Sequence, residues 1–288
     1  MEKKLSTIKL FFLIILTLFF FSTSSLLARA ALLDNNIDAY SFTFFRLLFG
    51  TITLFIIFFF KNKTIDLKLK NNWFSSSFLF IYAMTFSYAY INLDAGIGTL
   101  ILFAVVQLLI MLVALIKKET ITKQKLLGLC FAFVGLIYLL LPDEKLNISI
   151  FHSMLMIISG LAWALYTILG KNTKTALIHT SDNFLKATFI SIVFYLIFID
   201  NINFNFYGVF LAFLSGGITS SIGYLMWYYI LPKITMVTSG IVQLIVPPLS
   251  IFLSVLILDE LFTFKLFLST DLILFGIAIA ILNSKRKR

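Results

Sequence analysis

Ten stretches of apolar residues, joined by short polar connections, take up nearly the whole chain. They run Ile8–Ala28, Ala39–Phe60, Trp73–Ile91, Gly96–Ile116, Leu126–Leu141, Ile150–Gly170, Phe184–Ile199, Phe206–Ile230, Thr235–Leu258 and Leu266–Asn283. A helix needs about 20 apolar residues to cross a bilayer core, with a range of roughly 17–25. In lipid the backbone N–H and C=O groups find no water, so each crossing must satisfy them within itself, as a helix does. No strand-like alternation competes. The expected fold class is an all-α polytopic membrane protein with ten transmembrane helices. The fifth and seventh stretches are short, so their ends are the least defined.

Composition supports this. Hydrophobic residues are 60% of 288 positions, charged residues 12%, and mean hydropathy is +1.03. A soluble domain needs roughly a quarter charged residues to dress its surface. The single cysteine, Cys130, excludes an intramolecular disulfide and most thiolate metal sites. His152 and His179 have no ligand spacing between them, and no cofactor motif is present, so neither metal nor cofactor is expected. Nor is there a Ser-His-Asp set or a phosphate loop, so the chain reads as no enzyme. The net charge of +10 needs a soluble basic face to bind nucleic acid, and no stretch is long enough to supply one. Lys3, Lys4, the apolar run to Phe21 and Ala28-Arg29-Ala30 resemble a secretory signal peptide. The topology and the repeat described next need that segment as a retained helix instead.

Orientation follows the basic residues, which concentrate in cytoplasmic loops. With the N-terminus inside, the inner segments hold 19 of the 23 Lys and Arg, including Lys61–Lys70, Lys117, Lys118, Lys171, Lys174 and the tail at 284–288. The outer segments hold Arg29, Lys145 and Lys265, and carry Asp34, Asp38, Asp94, Asp143, Glu144, Asp200, Asp259 and Glu260. A miscounted span would invert every later loop and destroy this asymmetry. Both termini are therefore expected in the cytoplasm, with the chain in the cell's inner membrane.

The chain also matches itself. Sliding it by 141 residues aligns spans one to five with spans six to ten without a gap. Glu119 meets Glu260, Thr122 meets Thr263 and Gly135 meets Gly276 in one register, among aliphatic matches such as Leu108 with Leu249. Residues 1–141 and 149–283 are read as two five-helix repeats, followed by the basic tail. Five is odd, so the second copy enters the membrane upside down. Inverted repeats suit alternating access, because exchanging the two halves' conformations exchanges inward-open and outward-open states.

This pattern resembles the drug/metabolite transporter superfamily, in particular the EamA-like ten-helix transporters. The resemblance rests on the fourth helix running into Ile116-Lys117-Lys118-Glu119-Thr120-Ile121-Thr122, on its copy Ile257-Leu258-Asp259-Glu260-Leu261-Phe262-Thr263, and on the glycine-containing helices after each. Arg46, Trp163-Ala164-Leu165-Tyr166 and Val246-Pro247-Pro248 add to it. Where the family often has a tryptophan in helix 1, this chain has Ser22. The resemblance implies a cavity among helices 1, 3, 4, 6, 8 and 9, and export of amino acids and related metabolites.

Polar groups inside spans are costly and are site candidates by default. Gln107 shares a stripe with Thr99 and Phe103, and Gln243 shares one with Ser239 and Pro247, at helical spacing. Each glutamine can line a pathway or bond between helices. Tyr82, Trp163, Tyr166 and Tyr224 lie deep in their spans and are expected to line it with Phe103; Tyr90, Tyr228 and Tyr229 lie near helix ends, where interfacial anchoring is expected. Arg46 is expected to reach the outer interface, paired with Asp38 or Asp94, or else to attract anions at the outer mouth. Asp271 is a carboxylate within a span, a candidate for proton coupling or a partner of Lys265. Pro247 and Pro248 should kink the ninth helix and could gate it. Gly216, Gly217, Ser220 and Ser221 repeat at spacing that suits close helix packing.

The function expected is a secondary carrier of a small amphipathic or zwitterionic, amino-acid-like metabolite. Its partners are that solute and the bilayer, and a homodimer is compatible. A carrier of a cationic or aromatic compound is one alternative; a membrane scaffold or channel is another, of a different class.

Overall fold

The computed structural model describes residues 7–62, 73–117, 122–141, 148–197 and 202–282. The lysines at 63–70, Lys118, Glu119, Asp143, Glu144, Lys145, Asp200 and the basic tail lie outside the described residues. The helices are α1 (Thr7–Leu33), α2 (Ala39–Asn62), α3 (Trp73–Ala89), α4 (Ala95–Ile116), α5 (Lys123–Leu140), α6 (Ile150–Gly170), α7 (Ala176–Ile197), α8 (Phe206–Phe213), α9 (Ser221–Ile230), α10 (Met236–Gln243), α11 (Val246–Ile257) and α12 (Phe264–Leu282). A π-helical segment, Leu214–Ser220, joins α8 to α9. Among the described residues, six segments are long and apolar enough to cross a membrane: Thr7–Leu33, Ala39–Lys61, Ala95–Ile116, Ile150–Gly170, Phe206–Lys233 and Met236–Ile257. Their outward faces carry apolar side chains such as Phe11, Phe60 and Phe206, which suits a lipid environment.

The helices pack in a pattern that repeats when the two halves are exchanged. α5 lies along α12, α2 along α7, and α4 against α10 and α11. α3 packs on α6 and α7, while α8, the π segment and α9 pack on α1 and α2. α4 meets α6 as α11 meets α1. At α5–α12 small residues let backbones touch: a Cβ on Gly135 would sit 2.8 Å from the carbonyl oxygen of Ser269, and one on Gly276 2.3 Å from that of Gly128.

Two segments are not straight rods, and for the one that holds Pro247 and Pro248 a break was expected. The ninth span divides at Leu244–Ile245, where the chain turns before Pro247 begins the first turn of α11. Proline there loses no helical bond, since the first-turn N–H groups have no partner anyway. The pair therefore starts a new helix rather than straining the middle of one. The eighth span widens into π geometry at Gly216, where a Cβ would fall 2.0 Å from the carbonyl oxygen of Arg46. Packing at such range explains why glycine stands there.

Two helix ends differ from the expectation. α7 begins at Ala176, not Phe184, because Thr180, Ser181 and Asn183 are buried helical residues rather than loop, and Lys186 closes an i,i+4 pair with Asp182 at 2.7 Å. α1 extends to Leu33, which brings Arg29 into the helix. Tyr90 and Tyr228 are buried, contrary to the interfacial expectation; Tyr229 is 37% exposed.

Candidate substrate site

Arg46 sits at the centre of the bundle on α2 and is 1% exposed. Its Nε donates to Ser220 Oγ at 3.0 Å, and its Nη2 lies 3.1 Å from Ser24 Oγ, 3.2 Å from Tyr82 Oη and 2.8 Å from Tyr224 Oη. Nη1 has no hydrogen-bond partner. The guanidinium carbon stands 4.6 Å from the ring centre of Phe86 and 5.5 Å from that of Tyr82. The ion pairs among the described residues are Arg29–Asp94, Arg29–Glu260 and Lys186–Asp182, and none includes Arg46. The expected pairing with Asp38 or Asp94 is therefore wrong, as is a position at the outer mouth. Asp38 instead accepts from the Ser41 and Asn203 backbone N–H groups, and Asp94 faces Arg29. A buried cation without a counter-charge costs several kcal/mol after relaxation. Charge-assisted bonds to four hydroxyls offset part of that.

Aromatic rings enclose this cation. Trp163 lies 4.9 Å from Tyr82, 4.7 Å from Tyr224 and 5.2 Å from Phe21, ring centre to ring centre. Its Nε1 donates to Gln243 Oε1 at 2.7 Å, while Gln243 Nε2 donates to the Ser239 carbonyl at 2.8 Å. Gln243 thereby fixes the indole, and the turn at Leu244 fixes Gln243. Tyr166 continues the wall, 5.5 Å from Trp163 and 4.8 Å from Tyr228.

Four of the expected lining residues, Tyr82, Trp163, Tyr166 and Tyr224, thus meet in one cluster, held together with Gln243. Others lie elsewhere. Gln107 is buried with both amide atoms unpartnered, packed on Gly240 in a small apolar recess beside Leu100, Ala104, Leu244 and Pro247. Phe103 is a buried core residue one turn before it on α4. Asp271 is exposed on α12, away from the cluster, because α12 packs mainly on α5. Pro248 is partly buried and Pro247 buried at the start of α11.

Three contributors had no specific role from the sequence. Ser24 and Ser220 accept from Arg46; Ser24 belongs to the polar run Ser22, Thr23, Ser24 and Ser25, a site candidate by its place inside the first helix, and Ser220 reads as a packing residue. The third is an ion cluster closing one end of the bundle. Arg29 donates to the Tyr90 and Ile91 carbonyls at 3.0 and 2.9 Å and meets Asp94 at 3.3 Å and Glu260 at 3.7 Å. Burial pushes the Glu260 carboxyl above its ordinary value; the Ala95 N–H and Arg29 hold it down, and Asp94 adds to the rise. The pairing of Glu260 with Glu119 in the repeat was the signal available. At the opposite end Lys171 donates to the carbonyls of Leu231, at 2.7 Å, and Ile234. There a vestibule of about 650 Å³ reaches inward to Tyr228 between Lys174, Tyr229 and Lys233.

The sequence pattern of the EamA-like transporter family matches twice, over residues 8–141 and 151–282. A Pseudomonas aeruginosa protein, described as uncharacterized protein PA1977, is 39% identical over 254 residues, covering 88% of each chain. An Archaeoglobus fulgidus protein described as an uncharacterized transporter is 27% identical over 210 residues, 70% of this chain and 73% of its own. The Bacillus subtilis protein described as uncharacterized transporter YoaV is 21% identical over 266 residues, 88% of this chain and 91% of its own. A crystal structure superposes with a TM-score of 0.76 at 16% identity, over 98% of this chain and all of that one, which shows the fold alone. With its many apolar helices and a family pattern spanning both halves, this membrane protein belongs to the EamA-like transporter family.

Proposed function

We propose that this transporter is a secondary carrier that moves a small amphipathic or zwitterionic metabolite by alternating access. Two inverted five-helix halves, residues 1–141 and 149–283, form ten spans in the inner membrane with both termini cytoplasmic, and net flux runs outward. The observation that carries this reading is the packing pattern that repeats when the halves are exchanged, α3 on α6 answering α8 and α9 on α1. The clamps at the two ends extend it: Arg29 takes the Tyr90 carbonyl and Lys171 the Leu231 carbonyl, and these acceptors are 141 residues apart. A two-state device needs such matched closures, one holding while the other releases. The cluster around Arg46 and Trp163 lies between them and would bind the solute. A cationic solute fits poorly, because a buried guanidinium repels it.

Exchange across a membrane tests this. Purified protein in liposomes loaded with a solute found by thermal-shift screening should take up labelled solute faster than liposomes loaded with buffer. A channel gives equal rates in both, and a scaffold gives none.

A further inference from the structure

On the carrier reading just given, we infer that Arg46 is the anchor for a carboxylate, so that the solute is a small organic monocarboxylate with a flat or branched apolar body, its amino group optional.

The inference starts from unspent donors. Tyr82 Oη accepts from Arg46 and also from Tyr224 at 2.9 Å, which leaves its own hydrogen to be given elsewhere. Arg46 Nη1 is likewise unpartnered. The immediate neighbours of the guanidinium are hydroxyls and rings; none is an anion. A group made only of acceptors and carrying one negative charge complements that set, and a carboxylate is such a group. Arginine suits it further, because its planar fork presents parallel N–H bonds to two oxygens.

The surroundings define the rest of the solute. Trp163, Tyr224 and Phe21 present ring faces and edges within van der Waals reach of one another, a surface that accepts an aromatic or branched aliphatic body. No acidic side chain among the described residues pairs with Arg46 or joins the ring cluster, so no counter-charge there holds an ammonium.

The repeat points the same way. The residue 141 positions beyond Arg46 is Ala187, and the one beyond Tyr82 is Gly223. The interface glycines Gly135 and Gly276 recur in both halves. Arg46 and Tyr82 occur in one only, as expected for groups that face an asymmetric solute.

Matched sets test this: 3-phenylpropionate, phenylalanine and phenethylamine; indole-3-propionate, tryptophan and tryptamine; 4-methylvalerate, leucine and isoamylamine. Each set holds the body fixed while the head passes from acid to zwitterion to amine. Thermal shift and liposome exchange are read for the wild type, Arg46→Gln, Arg46→Lys and Tyr82→Phe. In at least one set the acid and amino acid should raise the melting temperature and exchange, while the amine does neither. Arg46→Gln should lower exchange by about 10- to 100-fold, the worth of a charged hydrogen bond. Arg46→Lys should retain part of it, and Tyr82→Phe should lose less than Arg46→Gln. If Arg46→Gln does not fold, the wild-type ranking of heads and the Tyr82→Phe effect still decide. Exchange of amines, or of acids undiminished in Arg46→Gln, overturns the anchor while leaving a carrier. No exchange of any of the nine compounds, in protein that exchanges a solute found by screening, also overturns the anchor; no exchange of any screened solute overturns the carrier reading itself.

Discussion

Gly135 and Gly276 hold the same place on opposite sides of one interface: Gly135 packs on the carbonyl of Ser269 and Gly276 on that of Gly128. Glycines and carbonyls alike are 141 residues apart. Adding a methyl group at either glycine drives it into backbone, which cannot rotate away. Gly135→Ala and Gly276→Ala should each destabilise by about 1–3 kcal/mol, the usual cost of overpacking. Thermal melts of the two variants in detergent check this, and similar losses in both are expected.

Trp163 depends on Gln243 for its orientation. Trp163→Phe keeps most of the ring surface but removes the indole N–H and strands the Gln243 carbonyl oxygen, a buried acceptor. The expected loss is about 1–3 kcal/mol. Trp163→Phe combined with Gln243→Leu removes both partners and should recover part of it, which a double-mutant cycle of melts measures. Transport should fall in both variants, because the wall around Arg46 is no longer fixed.

Glu260 gives the closed end a pH dependence whose sign follows from burial. Its native carboxyl titrates above the ordinary value of 4.5, burial being the largest cause, with Arg29, Asp94, Ser254 and the Ala95 N–H also facing it. The native state thus holds more protons than the unfolded chain between 4.5 and the raised value. Stability contributed by this group is largest at the acid end of that window and declines as pH rises through it. Glu260→Gln keeps an acceptor for Ala95 and has no such titration. Melting temperatures measured across the window should decline with rising pH more steeply in the wild type than in the variant.

Pro247 and Pro248 begin a helix rather than interrupt one. Pro247→Ala with Pro248→Ala should therefore change stability by less than about 1 kcal/mol, since no interior penalty of roughly 3 kcal/mol is relieved. The variant does gain two backbone donors, which favour a helix running through Leu244 and Ile245. If α10 must pivot against α11, exchange in liposomes should slow while the melt stays nearly unchanged.

How far the residues announced this architecture depends on range. Helix existence followed from apolar length, and the turn before Pro247 from local chemistry. α7 was misplaced at its start because Thr180, Ser181 and Asn183 read as loop until the helices covering them are known. Tyr82, Trp163, Tyr166 and Tyr224 were found by depth in their spans, which a sequence reports. Arg46 was found but misassigned, because its partners Ser24, Tyr82 and Ser220 come from three other spans and no local pattern links them. Gln107 shared depth and spacing with the cluster yet turned toward Gly240, since a rotation about the helix axis is set by neighbours rather than by period.

The most direct test of alternating access compares the two ends in one protein. On a Cys130→Ala background, spin labels replace Leu33 and Asn92 near the Arg29 end, or Lys174 and Lys233 near the Lys171 end; all four positions are exposed, and the pairs are related by 141 residues. Distances are measured by pulsed electron resonance in liposomes, with and without a solute that exchanges. Alternating access predicts that populations shift in opposite senses, one pair lengthening as the other shortens. Distances that both stay fixed, or that lengthen together, in protein that exchanges solute would contradict it.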